Sequence, residues 1–160
     1  MTIQIGDHIP HAILNVLKDG VQPVSTEDVF AGKNVVMFSV PGAFTPTCSA
    51  KHLPGYIQHL DEFKAKGVDV ACIAVNDAFV MDAWAKHQHV PEDGLSMLAD
   101  GNGELTHALG LEMDGTAFGL GKRGKRFALY AEDGVVKQLF VEAPGEFKVS
   151  SAEHVLSALD

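Results

Sequence analysis

Short apolar runs alternate with helix-like segments along most of the chain. Residues 34–40 and 68–75 are almost continuously apolar, which is typical of central strands in a sheet covered on both faces. Residues 95–99 predict a third short strand. Between these runs, apolar residues recur every three or four positions over residues 47–66 and again over residues 78–87, which predicts two helices. The alternation favours parallel strands joined by helices.

The N-terminal region gives weaker signals. Residues 13–17 predict a short strand followed by a turn at residues 18–20, and the remainder of the first 32 residues is rich in turn-forming types. Within the helix of residues 47–66, Pro54 predicts a kink or a division. Gly67 fits the position just after the end of that helix.

The second half of the chain predicts a helix, a loop and a hairpin. Residues 104–111 favour a short helix, and residues 112–125 are glycine-rich without periodicity, so we expect a loop there. Two strand-like runs, residues 126–131 and 135–141, flank Asp133-Gly134. Asp-Gly between two such runs is a strong hairpin signal.

The last segment completes the predicted architecture. Ser150 and Glu153 have the spacing of a capping box for a final helix over residues 151–159. The order of strands and helices, with parallel strands early and an antiparallel hairpin late, predicts an α/β protein with a mixed central sheet flanked by helices, as in an elaborated thioredoxin-like fold. No repeat or long linker divides the sequence, so we expect a single domain over residues 1–160.

Composition and charge narrow the range of partners. The chain of 160 residues is 46% hydrophobic and 21% charged, as in ordinary globular proteins. Its formal net charge is −9, from 12 Lys and Arg against 21 Asp and Glu. This charge argues against nucleic acid, which needs a basic face, and the one basic cluster at residues 122–126 is too short to change that. No apolar run approaches the roughly 18 residues that span a bilayer, so no membrane partner is expected.

Cysteine usage and the first residues suggest a reducing compartment. Residues 1–8 show neither the basic nor the apolar region of a secretory signal. There are two cysteines, Cys48 and Cys72, and no Cys-x-x-Cys motif. Such a count does not fit a disulfide-stapled secreted domain. We therefore expect a cytoplasmic protein in which a lone thiol can act as a catalyst.

Cys48 is the strongest candidate for chemistry. It follows a strand-like run and lies in the first turn of the helix predicted for residues 47–66. A helix N-terminus carries unpaired N–H groups and a partial positive charge, which both stabilise a thiolate, the reactive form of cysteine. Thr45 can direct its hydroxyl at the sulfur or at a substrate oxygen, and Pro41 can rigidify the loop and shield the thiolate from water. Arg126 can supply a fixed positive charge with several donors.

These residues carry a family resemblance. The pattern Pro41-x-x-x-Thr45-x-x-Cys48 resembles the active-site signature of peroxiredoxins, and the string from Val40 to Gly55 is similar to the type II, or peroxiredoxin-5, subfamily. The similarity covers roughly residues 30–160 and keeps its order through residues 75–81, 98–101, 106–111, 119–121, 125–127 and 145–152.

The resemblance implies a fold, an activity and a set of site residues. The implied fold is thioredoxin-like, and the implied activity is the reduction of hydrogen peroxide and alkyl hydroperoxides, in which a cysteine thiolate becomes a sulfenic acid and a thiol then restores it. The implied catalytic residues are Cys48, Thr45, Arg126 and Pro41, and the implied pocket residues are Phe44 and Phe118. No metal or other cofactor is implied beyond the external thiol reductant, and the family implies a homodimer with its interface near the active-site loops.

The second cysteine decides how Cys48 is recycled. Some subfamily members carry a resolving cysteine near residues 149–151, where this chain has none. Cys72 lies in the apolar run of residues 68–75, and a buried cysteine in mid-strand is rarely free to move. We therefore expect a one-cysteine mechanism with glutathione and glutaredoxin as reductant. Thioredoxin-dependent recycling with Cys72 as resolving cysteine is the alternative.

Other functions remain open on the residues alone. Cys48 could serve a redox-sensing module without sustained turnover, and the fold would also suit a dithiol oxidoreductase, although the absence of Cys-x-x-Cys argues against that. His52 stands four residues after Cys48, so a metal-ligand pair is conceivable. No second pair is placed to complete four ligands, and His87 and His89 are isolated, so we expect no metal site.

Overall fold

The computed structural model describes residues 2–159, so the two end residues of the predicted domain of residues 1–160 lie outside it, and that domain assignment stays a prediction. The strands within residues 2–159 are β1 (Ile13–Leu17), β2 (Val21–Ser25), β3 (Asn34–Ser39), β4 (Asp69–Ala74), β5 (Leu95–Ala99), β6 (Glu112–Asp114), β7 (Lys122–Gly124), β8 (Phe127–Glu132) and β9 (Val135–Val141). The α-helices in the same range are α1 (Thr26–Phe30), α2 (Leu53–Gln58), α3 (Leu60–Ala65), α4 (Ala78–His87), α5 (Glu104–Leu109) and α6 (Ala152–Ala158). A π-helix at Cys48–His52 and a 3₁₀ turn at Thr116–Phe118 complete the list.

Seven strands form one mixed sheet in the order β2-β1-β5-β4-β3-β8-β9. The strands β3, β4 and β5 pair in parallel, and their neighbours on both sides pair antiparallel. This is the predicted α/β, thioredoxin-like arrangement, with the Asp133-Gly134 hairpin in the place that the sequence indicates. Within residues 2–159, no helix has both the length and the apolar character needed to cross a bilayer.

The sheet separates two hydrophobic cores. Because side chains alternate across a strand, Val36 and Phe38 of β3 face one core and Val35 and Met37 face the other. The first core is closed by helices α2, α3, α4 and α6, and the second by α1 and α5. Both cores bury β3, which leads directly to the candidate site, so the segment after β3 starts from a firmly packed position.

The N-terminal region is more ordered than predicted. Besides β1, it contains β2 and α1, neither of which the sequence pattern predicts. The strand β2 lies at the edge of the sheet, where Pro23 costs no hydrogen bond to a further strand, and its polar composition hides the strand pattern. The helix α1 begins with a capping box between Ser25 and Asp28, but it is too short to show a 3.6-residue period.

The expectation of a loop over residues 112–125 was wrong. The segment holds the small antiparallel hairpin of β6 and β7 and a 3₁₀ turn between them. Each strand spans three residues, which is too short for an alternating pattern to be recognised in a glycine-rich sequence.

The helix predicted for residues 47–66 is divided into three pieces. A π-helix spans Cys48–His52, and α2 and α3 are separated at His59. Pro54 lies in the first turn of α2, where it lacks an N–H and crowds the carbonyl four residues earlier. The Leu53 N–H accordingly binds the Cys48 carbonyl five residues back, which is the π-helical pattern.

The capping residue predicted for the last helix was also wrong by one position. Ser151 caps α6, since its side chain accepts a hydrogen bond from the His154 N–H. Ser150 is fully buried, and its hydroxyl donates to the Glu142 carboxylate at 2.7 Å. Both serines are of a type favoured as an N-cap. The Ser150 hydroxyl is engaged by Glu142, and Ser151 caps the helix.

Candidate active site

Cys48 lies in the first turn of the helical stretch that begins at Pro46, after the loop of residues 40–45 that follows β3. Proline is favoured at the first helical position, because its missing N–H would have no partner there. The Cys48 side chain is completely buried. The sequence therefore places this cysteine correctly in the first turn of a helix.

Arg126 contacts the sulfur of Cys48. The residue immediately precedes β8, and β8 pairs antiparallel with β3 in the register Ser39↔Phe127, so Arg126 reaches the sheet end from which Cys48 emerges. Its Nη2 donates to Cys48 Sγ at 3.2 Å, and its Nη1 donates to His52 Nδ1 at 2.8 Å. The guanidinium fork thus holds both ends of the π-helix at once.

His52 is a neutral, buried acceptor for Arg126. Burial, and secondarily the positive charge of Arg126, lower the pKa of His52 from 6.5 to about 3. Its Nε2 donates to the Ser150 carbonyl at 3.1 Å, and its Nδ1 receives the Arg126 hydrogen bond. Both ring nitrogens are therefore occupied in a single tautomer, and His52 does not compensate the charge of Arg126.

Thr45 and Pro41 lie on the loop that leads into this helix. The Thr45 hydroxyl donates to the Gly42 carbonyl at 2.6 Å, and the Pro41 carbonyl accepts a hydrogen bond from Arg123 Nη1 at 3.2 Å. The approach is close, because a β-carbon at Gly42 would lie 2.7 Å from Arg123 Nη1, so a larger residue there would require the Arg123 side chain to shift. The loop is also tied to the turn between β4 and α4, since the Ala43 N–H donates to Asn76 Oδ1 at 2.9 Å.

Comparison with known proteins places this geometry in a family. The family model described as Redoxin matches residues 4–156. Peroxiredoxin-2E-2, chloroplastic, of Oryza sativa subsp. japonica is 51% identical over 164 aligned residues, which cover 99% of this chain and 73% of the relative. Peroxiredoxin-2B of Arabidopsis thaliana is 49% identical over 161 residues, and 98% of each chain is covered. The chain belongs to the type II peroxiredoxins.

The solved structures agree with this assignment. Reduced Prx3 from Vibrio vulnificus, in complex with hydrogen peroxide, superposes with a TM-score of 0.95 at 51% identity, covering 99% of this chain and 100% of that one. The resemblance noted in the sequence is confirmed, and so are the thioredoxin-like fold and the enzyme class. This peroxiredoxin is a thiol-dependent peroxidase, an oxidoreductase that acts on peroxides.

The second cysteine of the peroxiredoxin is fixed in the sheet. Cys72 is completely buried in β4, opposite Phe38 of β3 and Met97 of β5. Burial raises the pKa of the Cys72 thiol well above its usual range, and the nearby Cys48 raises it further. Cys48 and Cys72 are both free thiols. A strand residue held by neighbours on both sides has little freedom to approach another sulfur.

The two predicted pocket residues are exposed. Phe44 adopts a positive φ of 64° and is 51% exposed, with its ring centroid 5.7 Å from that of His87. Phe118 lies in the 3₁₀ turn and is 82% exposed. Both phenylalanine rings are thus largely open to solvent, and their role in substrate binding stays a prediction.

The site includes residues whose roles the sequence did not reveal. The sequence suggests His52 only as a conceivable metal ligand, whereas both of its nitrogens are engaged with Arg126 and Ser150. Its position four residues after Cys48, on the same side of a helix, was the available signal. Glu142 carries no local signal, and the capping signal at Ser150 does not indicate its hydrogen bond to Glu142. Within residues 2–159, no three His, Cys, Asp or Glu side chains are grouped so that they could hold a metal ion.

Proposed function

We propose that Cys48 is the peroxidatic cysteine and that it works in a one-cysteine cycle with glutathione and glutaredoxin as reductant. The observation that supports this most strongly is the 3.2 Å contact from Arg126 Nη2 to Cys48 Sγ. The guanidinium places a fixed positive charge and a hydrogen-bond donor beside the sulfur, and the thiolate is the nucleophilic form of cysteine. No metal or organic cofactor is part of the proposal.

In the proposed first step, the Cys48 thiolate attacks one oxygen of the peroxide. An S–O bond forms as the O–O bond breaks, so sulfur is oxidised to the sulfenic acid and the second oxygen leaves, after protonation, as water or an alcohol. The Arg126 guanidinium can donate to the oxygen on which charge develops. The donors are already in position because His52 fixes the other branch of the fork.

Thr45 and Pro41 are proposed to orient the peroxide and shield the sulfur. The Thr45 O–H is committed to the Gly42 carbonyl, so the hydroxyl oxygen retains lone pairs that can accept the peroxide O–H. Pro41 lies in the same loop as Thr45, and its carbonyl is held by Arg123 of β7. Phe44 and Phe118 are proposed to line the approach from solvent, where their exposed rings offer apolar surface to an alkyl hydroperoxide.

The recycling step is proposed to use an external thiol because Cys72 is poorly placed for it. Glutathione attacks the Cys48 sulfenic acid, which gives a mixed disulfide and water. A second thiol, from glutaredoxin or glutathione, then releases Cys48 as the thiolate and becomes the new disulfide. The burial of Cys72 and the presence of Ser150 in the segment where some relatives carry a resolving cysteine both favour this route.

Steady-state peroxide consumption tests the proposal. Wild type and Cys72→Ser should turn over hydrogen peroxide and tert-butyl hydroperoxide with glutathione and glutaredoxin, and Cys48→Ser should not. Turnover that survives in Cys48→Ser would refute Cys48 as the peroxidatic residue. Turnover only with thioredoxin, abolished in Cys72→Ser, would instead make Cys72 the resolving cysteine. Stoichiometric sulfenate without turnover on any thiol would indicate a redox sensor.

A homodimer and a cytoplasmic location complete the proposal. Exposed phenylalanine side chains at Phe44, Phe79 and Phe118 support an interface near the active-site loops, since large exposed apolar groups favour association. Sedimentation of the purified protein at micromolar concentration tests the dimer. The relatives include chloroplastic and mitochondrial proteins, so the compartment stays a prediction, which fractionation of the source cells would test.

A further inference from the structure

Residues 142–150 form a strap that runs from the end of β9 to the start of α6 and folds back on itself. Its fold depends on Glu142, whose side chain is buried and whose Oε2 accepts four hydrogen bonds. The donors are Lys148 N–H at 2.8 Å, Val149 N–H at 2.9 Å, Ser150 N–H at 2.8 Å and Ser150 Oγ at 2.7 Å. Although burial alone would raise it, these hydrogen bonds lower the pKa of Glu142 below its usual value, so the carboxylate stays ionised.

The closed strap presents two groups to the candidate active site. The Ser150 carbonyl accepts hydrogen bonds from His52 Nε2 at 3.1 Å and from the Tyr56 hydroxyl at 2.8 Å. The Phe147 ring centroid lies 5.0 Å from that of His52 and 5.9 Å from the guanidinium carbon of Arg126. Both contacts depend on the turn that Glu142 holds together.

Glu142 also contacts the backbone of Arg126. The Glu142 N–H donates to the Arg126 carbonyl at 3.0 Å. The interactions therefore close a ring: Glu142 holds the backbone of Arg126 directly, and it holds the Arg126 side chain through Ser150 and His52. Arg126 is fixed at both ends by groups that depend on one glutamate.

The charges in this ring are arranged so that Arg126 keeps its full positive charge for Cys48. The negative charge of Glu142 is satisfied by the N–H groups of the strap and does not pair with Arg126. Because the Ser150 carbonyl can only accept, it requires a proton on His52 Nε2, and this leaves Nδ1 as an acceptor for Arg126 Nη1. The neutral His52 imidazole therefore orients the Arg126 side chain without compensating its positive charge.

We propose that Glu142 is a positioning residue of the peroxidase: by folding the strap it fixes the Ser150 carbonyl, which selects the His52 tautomer and so aims Arg126 at Cys48. The inference rests on the proposed roles of Cys48 and Arg126. A displacement of about 1 Å at a reacting group can lower a rate by about a hundredfold, so a single residue outside contact with the sulfur can control the reaction.

Glu142→Gln provides the first test, with Asp100→Asn as the matched control. Asp100 is another buried carboxylate with several donors, the Leu105 N–H, the Thr106 N–H and the Thr106 hydroxyl, but it serves the start of α5. In single-turnover reactions of the reduced, folded protein with hydrogen peroxide, we expect Glu142→Gln to lower the second-order rate constant by about 10- to 100-fold. We expect Asp100→Asn to react like wild type. Equal rates for the two variants would overturn the inference.

A double-mutant cycle with His52 separates positioning from loss of stability. His52→Leu removes the acceptor for Arg126, whereas His52→Gln keeps one acceptor and one donor in a side chain of similar reach. We expect His52→Leu to react as slowly as Glu142→Gln, His52→Gln to recover most of the rate, and Glu142→Gln to cause no further loss in the His52→Leu background. Independent, additive losses would mean that Glu142 does not act through His52.

Two further comparisons make the outcome unambiguous. If Glu142→Gln does not fold, Glu142→Asp keeps the charge but shortens the side chain, and a wild-type rate in that variant would overturn the inference. Cys48→Ser is measured alongside. If it retains peroxide reactivity, the proposed function fails, whereas loss of reactivity in Cys48→Ser together with an unaffected Glu142→Gln rejects only the positioning role.

Discussion

Replacing Arg126 by glutamine should slow the reaction with peroxide because it removes the charge next to the Cys48 sulfur. Arg126 Nη2 lies 3.2 Å from Sγ, and two unit charges at that distance interact by about 5 kcal/mol at an effective dielectric constant of about 20. Water that enters the variant site recovers part of this energy. We therefore expect a net loss of about 2–4 kcal/mol of transition-state stabilisation, a decrease in rate of about 30- to 1,000-fold.

The chain provides its own probe for this measurement. Trp84, the single tryptophan, donates its indole N–H to the hydroxyl of Ser49, the residue after Cys48, at 3.0 Å. Oxidation of Cys48 should therefore change the tryptophan fluorescence, which stopped-flow mixing with hydrogen peroxide can follow. The second-order rate constant is read from the dependence of the observed rate on peroxide concentration.

Two variants control for charge and for geometry. Lys125→Gln removes the same charge from an exposed neighbouring position and should react like wild type. Arg126→Lys keeps the charge but cannot donate to Cys48 and His52 through a planar fork, so it should fall between wild type and Arg126→Gln. A rate for Arg126→Gln within about threefold of wild type, against the loss worked out above, would refute the reasoning.

The remaining predictions concern other residues of the site and the fold. Cys72→Ser should keep wild-type turnover with glutathione and glutaredoxin in a coupled assay, and loss of turnover would contradict the one-cysteine cycle. Thr45→Val should lower the peroxide rate constant by about 10- to 100-fold with little change in melting temperature, since it removes the proposed acceptor for the peroxide O–H. The pKa of His52 in the folded protein is lowered from 6.5 to about 3, so the unfolded chain binds more protons between these pH values. The free energy of unfolding should therefore fall as the pH drops from about 6.5 to about 3, and it should fall less steeply in His52→Gln. Urea midpoints of the wild type that do not change across this pH range would contradict the prediction. Asp77→Ala should destabilise α4 by about 1 kcal/mol, because its carboxylate accepts the Val80 N–H at 2.8 Å, and an unchanged urea midpoint would argue against the cap.

The sequence was informative where structure is local. Cys48 at a helix start and the Asp133-Gly134 hairpin depend on residues within a few positions of each other, so both could be predicted. The edge strand β2 and the short hairpin of β6 and β7 were missed, because an edge strand has little apolar pattern and three-residue strands have no measurable period.

The support behind the site could not be predicted from the sequence. Arg126 was expected next to Cys48 from the family resemblance, but its orientation depends on His52, Ser150 and Glu142. These residues are brought together only by the return of the strap over the sheet end. A buried glutamate that binds backbone N–H groups has no spacing signature, because its partners are set by the path of the chain. The hydrogen bond from the Ser150 hydroxyl to Glu142 also explains why Ser151, and not Ser150, caps α6.

The most direct test of the central claim is the mass of the reduced protein after reaction with an equimolar amount of hydrogen peroxide, resolved to individual peptides with a sulfenic acid trap. We expect the trapped adduct on the peptide that contains Cys48 and an unmodified thiol at Cys72. An adduct on Cys72, with Cys48 still a free thiol, would contradict the account.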